Sequence, residues 1–263
     1  MRLGFIGAGN MAKAIIGGVL RAGLIPKEEI IASAATGETL ERIKGEYGIC
    51  TTLDNKEVAA AAIVFIAVKP VFCDAVLEEI KEQLTEEQII VSIVAGRSLT
   101  WFEDRLGKGK KIIRTMPNTP ALVGEAVTAV CENGQVTQEE RDRVLEILES
   151  FGEAQIIPER LMDAVVAVSG SSPAYVFMFI EAMADAAVAE GMPRAQAYRF
   201  AAQSVLGSAK MVLDTGKHPA ELKDMVCSPA GTTIDAVKAL EEKGFRSAVM
   251  EAMHVCAEKS RNL

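Results

Sequence analysis

Gly4-Phe5-Ile6-Gly7-Ala8-Gly9-Asn10-Met11-Ala12 reads as the end of a strand, a tight turn and the start of a helix in one segment. Its spacing is G-x-G-x-x-A, and each small residue has a steric reason. Gly7 permits the turn, Gly9 lets the backbone approach a pyrophosphate, and Ala12 leaves room for the helix to pack on the strand. The helix that follows offers free N–H groups and the positive end of its dipole to phosphate. The same residues also suit a tight turn in an α/β domain that binds nothing, so the strand–turn–helix setting gives the motif its weight.

The first half of the chain continues that setting. Apolar runs at Leu3–Ile6, Glu29–Ser33, Ile63–Val68, Ile89–Ile93 and Ile112–Thr115 alternate with helical patterns at Met11–Ala22, Leu40–Tyr47, Val71–Gln83 and Leu99–Leu106. Continuous apolar strands between helices imply a parallel sheet covered on both faces. Ala126–Val130 and Gln155–Ile157 extend it, with a helix over Gln138–Phe151 between them. After Pro158 the strands stop. Helical patterns follow at Leu161–Val168, Pro173–Glu190, Arg194–Thr215, Pro219–Val226, Thr233–Lys243 and Phe245–Arg261. The expected class is thus α/β, with a Rossmann-type domain over residues 1–158 and an all-α domain over 159–263. Pro173–Glu190 is apolar on more than one face, as a buried helix is. So much small apolar helical surface points to burial against a second subunit, with a tight monomeric bundle as the plainer alternative.

In open α/β sheets ligands bind outside the carboxyl ends of the strands. Three further turns lie at such ends: Ser33-Ala34-Ala35-Thr36, Ala67-Val68-Lys69-Pro70 and Val94-Ala95-Gly96. An NAD site usually carries an acidic residue beyond the second strand for the ribose 2′-hydroxyl. Here the hydroxyls of Ser33 and Thr36 stand in its place, and no carboxylate repels a 2′-phosphate, which favours NADP. No arginine lies in that turn either; Arg42 and Lys44 come later.

The formal charge is −8, against the basic stripe of a nucleic-acid binder. Five scattered cysteines without a C-x-x-C pair fit neither a disulfide framework nor a zinc knuckle, and read as reduced thiols of a cytoplasmic protein. The longest apolar run, Ala59–Val68, falls short of the roughly 20 residues that span a bilayer. The two histidines, His218 before Pro219 and His254 in the last helix, join no catalytic or metal-like cluster, so neither a histidine base nor a metal is expected.

Three Gly/Ser/Thr turns remain. In Ser228-Pro229-Ala230-Gly231-Thr232-Thr233-Ile234-Asp235, Thr232 suits a helix N-cap with Asp235 reaching back. The same helix start, flanked by three hydroxyls, also suits a small carboxylate. Ser169-Gly170-Ser171-Ser172-Pro173 places Ser172 as an N-cap before proline at the first helical position. Arg114-Thr115-Met116-Pro117-Asn118-Thr119-Pro120 follows a strand and points at the crevice.

These turns, with Gly4–Ala12, Val68-Lys69-Pro70 and Leu222-Lys223-Asp224, make the chain resemble the pyrroline-5-carboxylate reductases over essentially its whole length. One position departs: the family commonly has two glycines after Ser-Pro, and Ala230 replaces the first, a methyl expected to tighten the turn slightly. The resemblance implies an oxidoreductase of proline biosynthesis that reduces 1-pyrroline-5-carboxylate to L-proline with NADPH or NADH. It also implies a homodimer interlocked through the helical domain, in many members part of a larger ring. By the same resemblance, cofactor contacts fall on Ile6, Gly7, Ala8, Gly9, Asn10, Met11, Ser33, Asn55, Ala67, Val68, Lys69, Pro70, Ala95 and Gly96. Asn118 falls near the nicotinamide end. Ser228 and the amides around Gly231 and Thr232 fall on the substrate carboxylate, and the Thr233 hydroxyl beside the ring nitrogen. Two other readings keep the same architecture. A β-hydroxyacid-type dehydrogenase needs a catalytic lysine in the helical domain, where Lys210 lacks the surrounding pattern. A non-catalytic NADP-binding sensor has no need of an intact Ser228–Thr233 loop.

Overall fold

The computed structural model describes residues 2–262. In chain order they form β1 (Leu3–Ile6), α1 (Asn10–Ala22), β2 (Ile30–Ser33), α2 (Gly37–Tyr47), β3 (Cys50–Thr52), α3 (Asn55–Val58), β4 (Ile63–Ile66), α4 (Pro70–Ile80), β5 (Ile89–Ser92), α5 (Leu99–Leu106), β6 (Lys111–Met116), β7 (Ala126–Glu132), α6 (Gln138–Glu149) and β8 (Gly152–Ile156). Then come α7 (Met162–Val165), α8 (Ser172–Ala189), α9 (Arg194–Thr215), α10 (Pro219–Val226), α11 (Thr232–Glu242) and α12 (Phe245–Arg261). They group into two compact units, residues 1–171 with 256–263, and Ser172–Val255.

The first unit is built on one sheet of strand order β3-β2-β1-β4-β5-β6-β7-β8. Strands β1, β2, β4 and β5 are buried at every position because both faces are covered there. Leu3, Phe5, Phe65 and Val91 point into the cluster formed with α1 and α6, while Ile6, Val64, Ile66 and Ile90 point into the one formed with α4 and α5. The register puts Ile6 beside Ser33 and Ile66, and Ile66 beside Ser92. The turns after β1, β2, β4 and β5 therefore open on one edge. β1 and β4 are neighbours although not consecutive, which is the switch point where such sheets hold ligands.

The sheet is not wholly parallel: β7 runs antiparallel to β6. Residues 117–125 between them hold only a short 3-10 turn, Thr119–Val123. A parallel crossover takes a dozen or more residues, so so short a link returns the chain alongside. Residues 159–171 also pack with the sheet unit, past the change of texture at Pro158. Met162, Val165 and Val166 join its core, and Ser260 donates to Asp163 at 2.7 Å. From Glu159 to Ala189 the chain is helical, through a π turn over Val166–Gly170, so Ser172 lies inside the helical run instead of capping its start.

The second unit buries little of its own. Its core is Ala184, Ala197 and Ala201 with Ile180, Met183 and a few neighbours. Phe177, Met178, Phe200 and Leu213 are each more than 60% exposed. Residues 159–189 are long and apolar enough to cross a membrane by length and composition. This exceeds the apolar run visible at Ala59–Val68, because an intervening charge or two does not break a helix's apolar face.

Arg114 of β6, almost wholly buried, pairs with Glu159 at 2.8 Å, and the same carboxylate oxygen accepts from the Leu99 amide at 2.8 Å. One carboxylate thus ties the start of the helical segment to the sheet and to α5. Removing Arg114 leaves the half-buried Glu159 carboxylate without its cation. Arg114→Ala is expected to lower stability by about 2 kcal/mol, read as a fall in the urea midpoint, with Glu159→Gln milder because it keeps an acceptor.

Candidate active site

At the carboxyl end of β1 the Gly7 amide donates to the Ser33 carbonyl at 3.1 Å, and the Ala67 amide donates to the Ile6 carbonyl at 2.8 Å. Gly7 has φ of 100°, and a β-carbon there would stand 2.5 Å from the Ala67 carbonyl oxygen. Gly9 differs. It is the N-cap of α1 with extended backbone, no side chain caps the helix, and a β-carbon at Gly9 would meet nothing within 4 Å. The first helical bond runs from Lys13 to the Gly9 carbonyl. The amides of Asn10, Met11 and Ala12 therefore have no partner within the helix, as first-turn amides do not. Ala8 and Ala12 are buried beneath them.

A cleft of about 300 Å³ opens beside this turn, lined among others by Gly7, Ala34, Asn55, Val68, Phe72 and Glu79. Lys69 is the extended N-cap of α4 and Pro70 its first residue, where the missing N–H costs nothing. Gly96, at φ of 72°, follows Ala95 in the turn after β5. The residues singled out from the nucleotide motif and from the ends of β2, β4 and β5 thus share one edge of the sheet.

The hydroxyls beyond β2 are already in use. Ser33 is fully buried, and its Oγ donates to Asn55 Oδ1 at 2.7 Å. Asn55 Nδ2 in turn donates to Glu79 Oε2 at 2.7 Å. Thr36 caps α2, its hydroxyl accepting from the Thr39 amide at 3.4 Å. Glu79 also lines the cleft and was missed by sequence reasoning: it sits on the exposed face of α4, and its sequence surroundings give no signal of the crevice.

Asn118, beyond β6, is buried and bridges two backbones. Its Nδ2 donates to the Ser169 carbonyl at 3.1 Å, and its Oδ1 accepts from the Val127 amide at 3.0 Å. The first contact has a cause in the sequence. Pro173 has no N–H, so the carbonyl four residues back, Ser169, loses its helical donor. The Asn118 amide replaces it.

In the second unit Ser228-Pro229-Ala230-Gly231 forms a turn closed by the Gly231 amide on the Ser228 carbonyl at 3.1 Å. Proline stands at its second position and a positive φ at its third, the pattern of a type II turn. That third residue is Ala230, with φ of 55°, the one non-glycine residue among those described to lie there. The departure from glycine thus costs backbone strain of about 1–2 kcal/mol. Thr232 is not the cap of α11. Gly231 is, with no side-chain acceptor, and Thr232 is the first helical residue, because the turn delivers Gly231 in the extended conformation a cap needs. The first amides of α11 are left without a side-chain cap.

Other reactive groups stand apart. All five cysteines are unpaired, and burial pushes the thiols of Cys73 and Cys131 up to about 11 and about 12, out of nucleophile range. His218 Nδ1 accepts from the Ala220 amide at 3.1 Å and caps α10. Lys210 is exposed and pairs with Asp214 one turn along α9, unlike a lysine held for catalysis.

Residues 159–263 match the family described as pyrroline-5-carboxylate reductase dimerisation, and residues 2–96 match one described as NADP oxidoreductase, coenzyme F420-dependent. The pyrroline-5-carboxylate reductase of Escherichia coli is 55% identical over 263 residues, covering 100% of this chain and 98% of that protein. The chain belongs to the pyrroline-5-carboxylate reductase family. The reductase of Methanosarcina acetivorans is 45% identical, with 100% and 97% covered. The crystal structure of the Plasmodium falciparum pyrroline carboxylate reductase with NADP bound superposes with a TM-score of 0.90 at 34% identity, covering 100% and 97%.

The β1–α1 turn of this reductase fits a dinucleotide on its own geometry. A side chain at Gly9 would project into the space a pyrophosphate needs, whereas one at Gly7 would project into the protein. Gly9→Val is therefore expected to abolish NADPH binding in calorimetry while the melting transition survives. Gly7→Ala is expected to lower the melting temperature itself, and unchanged NADPH affinity in Gly9→Val would remove the assignment of this turn.

Proposed function

We propose that the chain reduces the cyclic imine 1-pyrroline-5-carboxylate to L-proline with NADPH, and with NADH as the alternative donor, the last step of proline biosynthesis. Full-length identity of 55% to the Escherichia coli enzyme carries this reading. The uncapped start of α11 adds a chemical reason, since open amides at a helix N-terminus suit the substrate's carboxylate. Among the described residues no group of three or more histidine, cysteine or acidic side chains is placed to hold a metal. NADPH oxidation in the presence of pyrroline-5-carboxylate tests the function directly; turnover of a β-hydroxyacid instead, or cofactor binding without turnover, would replace it.

When bound, the reduced nicotinamide supplies hydride to the imine carbon, and the C=N bond becomes C–N with one proton added at nitrogen. The chain's own residues then have three tasks. Gly7, Ala8, Gly9, Asn10 and Met11 hold the pyrophosphate; Ser33, Thr36, Asn55 and the Ala67–Pro70 turn surround the adenosine side; Ala95, Gly96 and Asn118 lie toward the ring. The amides of Gly231 and Thr232, with the Ser228 hydroxyl, hold the carboxylate. The Thr233 hydroxyl donates to the ring nitrogen, whose basicity rises as hydride arrives. Most of the acceleration comes from orientation, so no strong titrating group is needed.

An interaction that strengthens in the transition state raises turnover more than binding. Thr233→Ala is expected to lower kcat by about tenfold, toward the 10²–10³ lost with a strong oxyanion donor, with NADPH affinity unchanged. Thr233→Ser should recover much of the loss. Full turnover in Thr233→Ala would leave the proton to water or to an already protonated imine.

The same reading supplies a cover for the exposed helices. The dimerisation match over 159–263 supports a homodimer in which Phe177, Met178 and Phe200 are buried by a second copy, with larger rings as a further assembly. Unpaired thiols suit a reducing cytoplasm. Sedimentation should show no folded, active species at the 28.1 kDa monomer mass; finding one would end the dimer proposal.

A further inference from the structure

The turn after β2 carries no acidic residue, which from the sequence favours a 2′-phosphate on the bound dinucleotide. Two hydrogen bonds alter that expectation. Ser33 Oγ donates to Asn55 Oδ1, so its proton is spent inside the protein. One Asn55 amide hydrogen is spent on Glu79. The Thr36 hydroxyl accepts from the Thr39 amide at the start of α2. The Ser33 hydroxyl and one Asn55 amide hydrogen are thus committed to protein acceptors. The residues lining the cleft include no lysine or arginine, the usual partners of a 2′-phosphate, and include one charged group, Glu79.

We propose that Glu79 of α4 reads the 2′ position of the adenosine ribose, accepting from a 2′-hydroxyl and repelling a 2′-phosphate. It supplies from another element the carboxylate that NAD sites usually take from the end of β2. Ser33 and Asn55 are the struts that aim it: the buried hydroxyl fixes the Asn55 amide, and the amide fixes the carboxylate, which stays exposed to the cleft. Carboxylate and phosphate both carry negative charge at neutral pH, and a cleft with no cation among its lining leaves their repulsion uncompensated. The role of Glu79 is to hold down selectivity for NADPH over NADH, whichever of the two the whole site prefers. The inference rests on the cleft beside Gly7 being the dinucleotide site.

Calorimetric titration of the full-length enzyme with NADP⁺ and with NAD⁺ tests it without turnover. Glu79→Gln keeps an acceptor for Asn55 and removes the charge. It is expected to tighten NADP⁺, weaken NAD⁺ and raise the ratio of their dissociation constants by about tenfold in favour of NADP⁺. Glu79→Ala should move the ratio the same way, with some loss of affinity for both as Asn55 loses its strut. A ratio within twofold of wild type in Glu79→Gln, or a shift toward NAD⁺, overturns the proposal. Equal weakening of both dinucleotides in Glu79→Ala, with no change in Glu79→Gln, would make Glu79 a support for Asn55 only, and overturns it too. If wild type binds either dinucleotide and Gly9→Val binds it equally well, the cleft assignment has failed, and the role of Glu79 falls with it.

Discussion

Space at the end of β1 governs the first unit. The chain must leave the central strand, pass the end of β4 and enter α1 within three residues, and at Gly7 the Ala67 carbonyl already fills the place of a side chain. Only a residue without a β-carbon passes there, and it does so at a positive φ that glycine alone adopts cheaply. Once the turn is made, α1 lies on β1 through Ala12, its first amides point out of the sheet edge, and the neighbouring turns of β2, β4 and β5 are brought level with it by the parallel register. The crevice is thus a consequence of close packing, and the first amides of α1 are donors that this packing leaves unpaired.

Much of this was legible in the residues. The ends of β1, α5, α9, α10 and α12 fall where the periodicity puts them. The elements that escape notice are short or half-buried. β3 is three residues, all partly exposed, and α3 is a single turn, and neither is long enough to show a period. Strand direction is not carried by periodicity, so the antiparallel β7 is visible only as the lack of a helix between it and β6. The caps misread by sequence, Thr232 and Ser172, each have a suitable hydroxyl. What displaced them was backbone: a turn that delivers Gly231 first, and a π turn that keeps the helix running. Of the candidate site, the backbone cradle was legible because glycines and small residues report local geometry. Glu79 was not, because its place depends on how α4 packs beside α3.

Asn118 shows the same dependence from the other side. A polar residue in a strand-end turn beside a crevice reads as a ligand contact, yet both ends of its amide are bound to backbone. Its burial is tolerable because each group is satisfied. The carbonyl it serves exists as an orphan only because a proline stands four residues later, so Asn118 and Pro173 form one device although far apart in the chain.

The second unit has an alanine core and a surface of large apolar side chains. With a second copy as their cover, its folding is a bimolecular event, and dilution becomes a denaturant. For a dimer that unfolds to separate chains, each tenfold drop in concentration removes about 1.4 kcal/mol of stability per dimer. The sheet unit, with its two closed cores, carries no such dependence. The amount of this protein that a cell makes would then set how well the second unit is folded, apart from any change in its sequence.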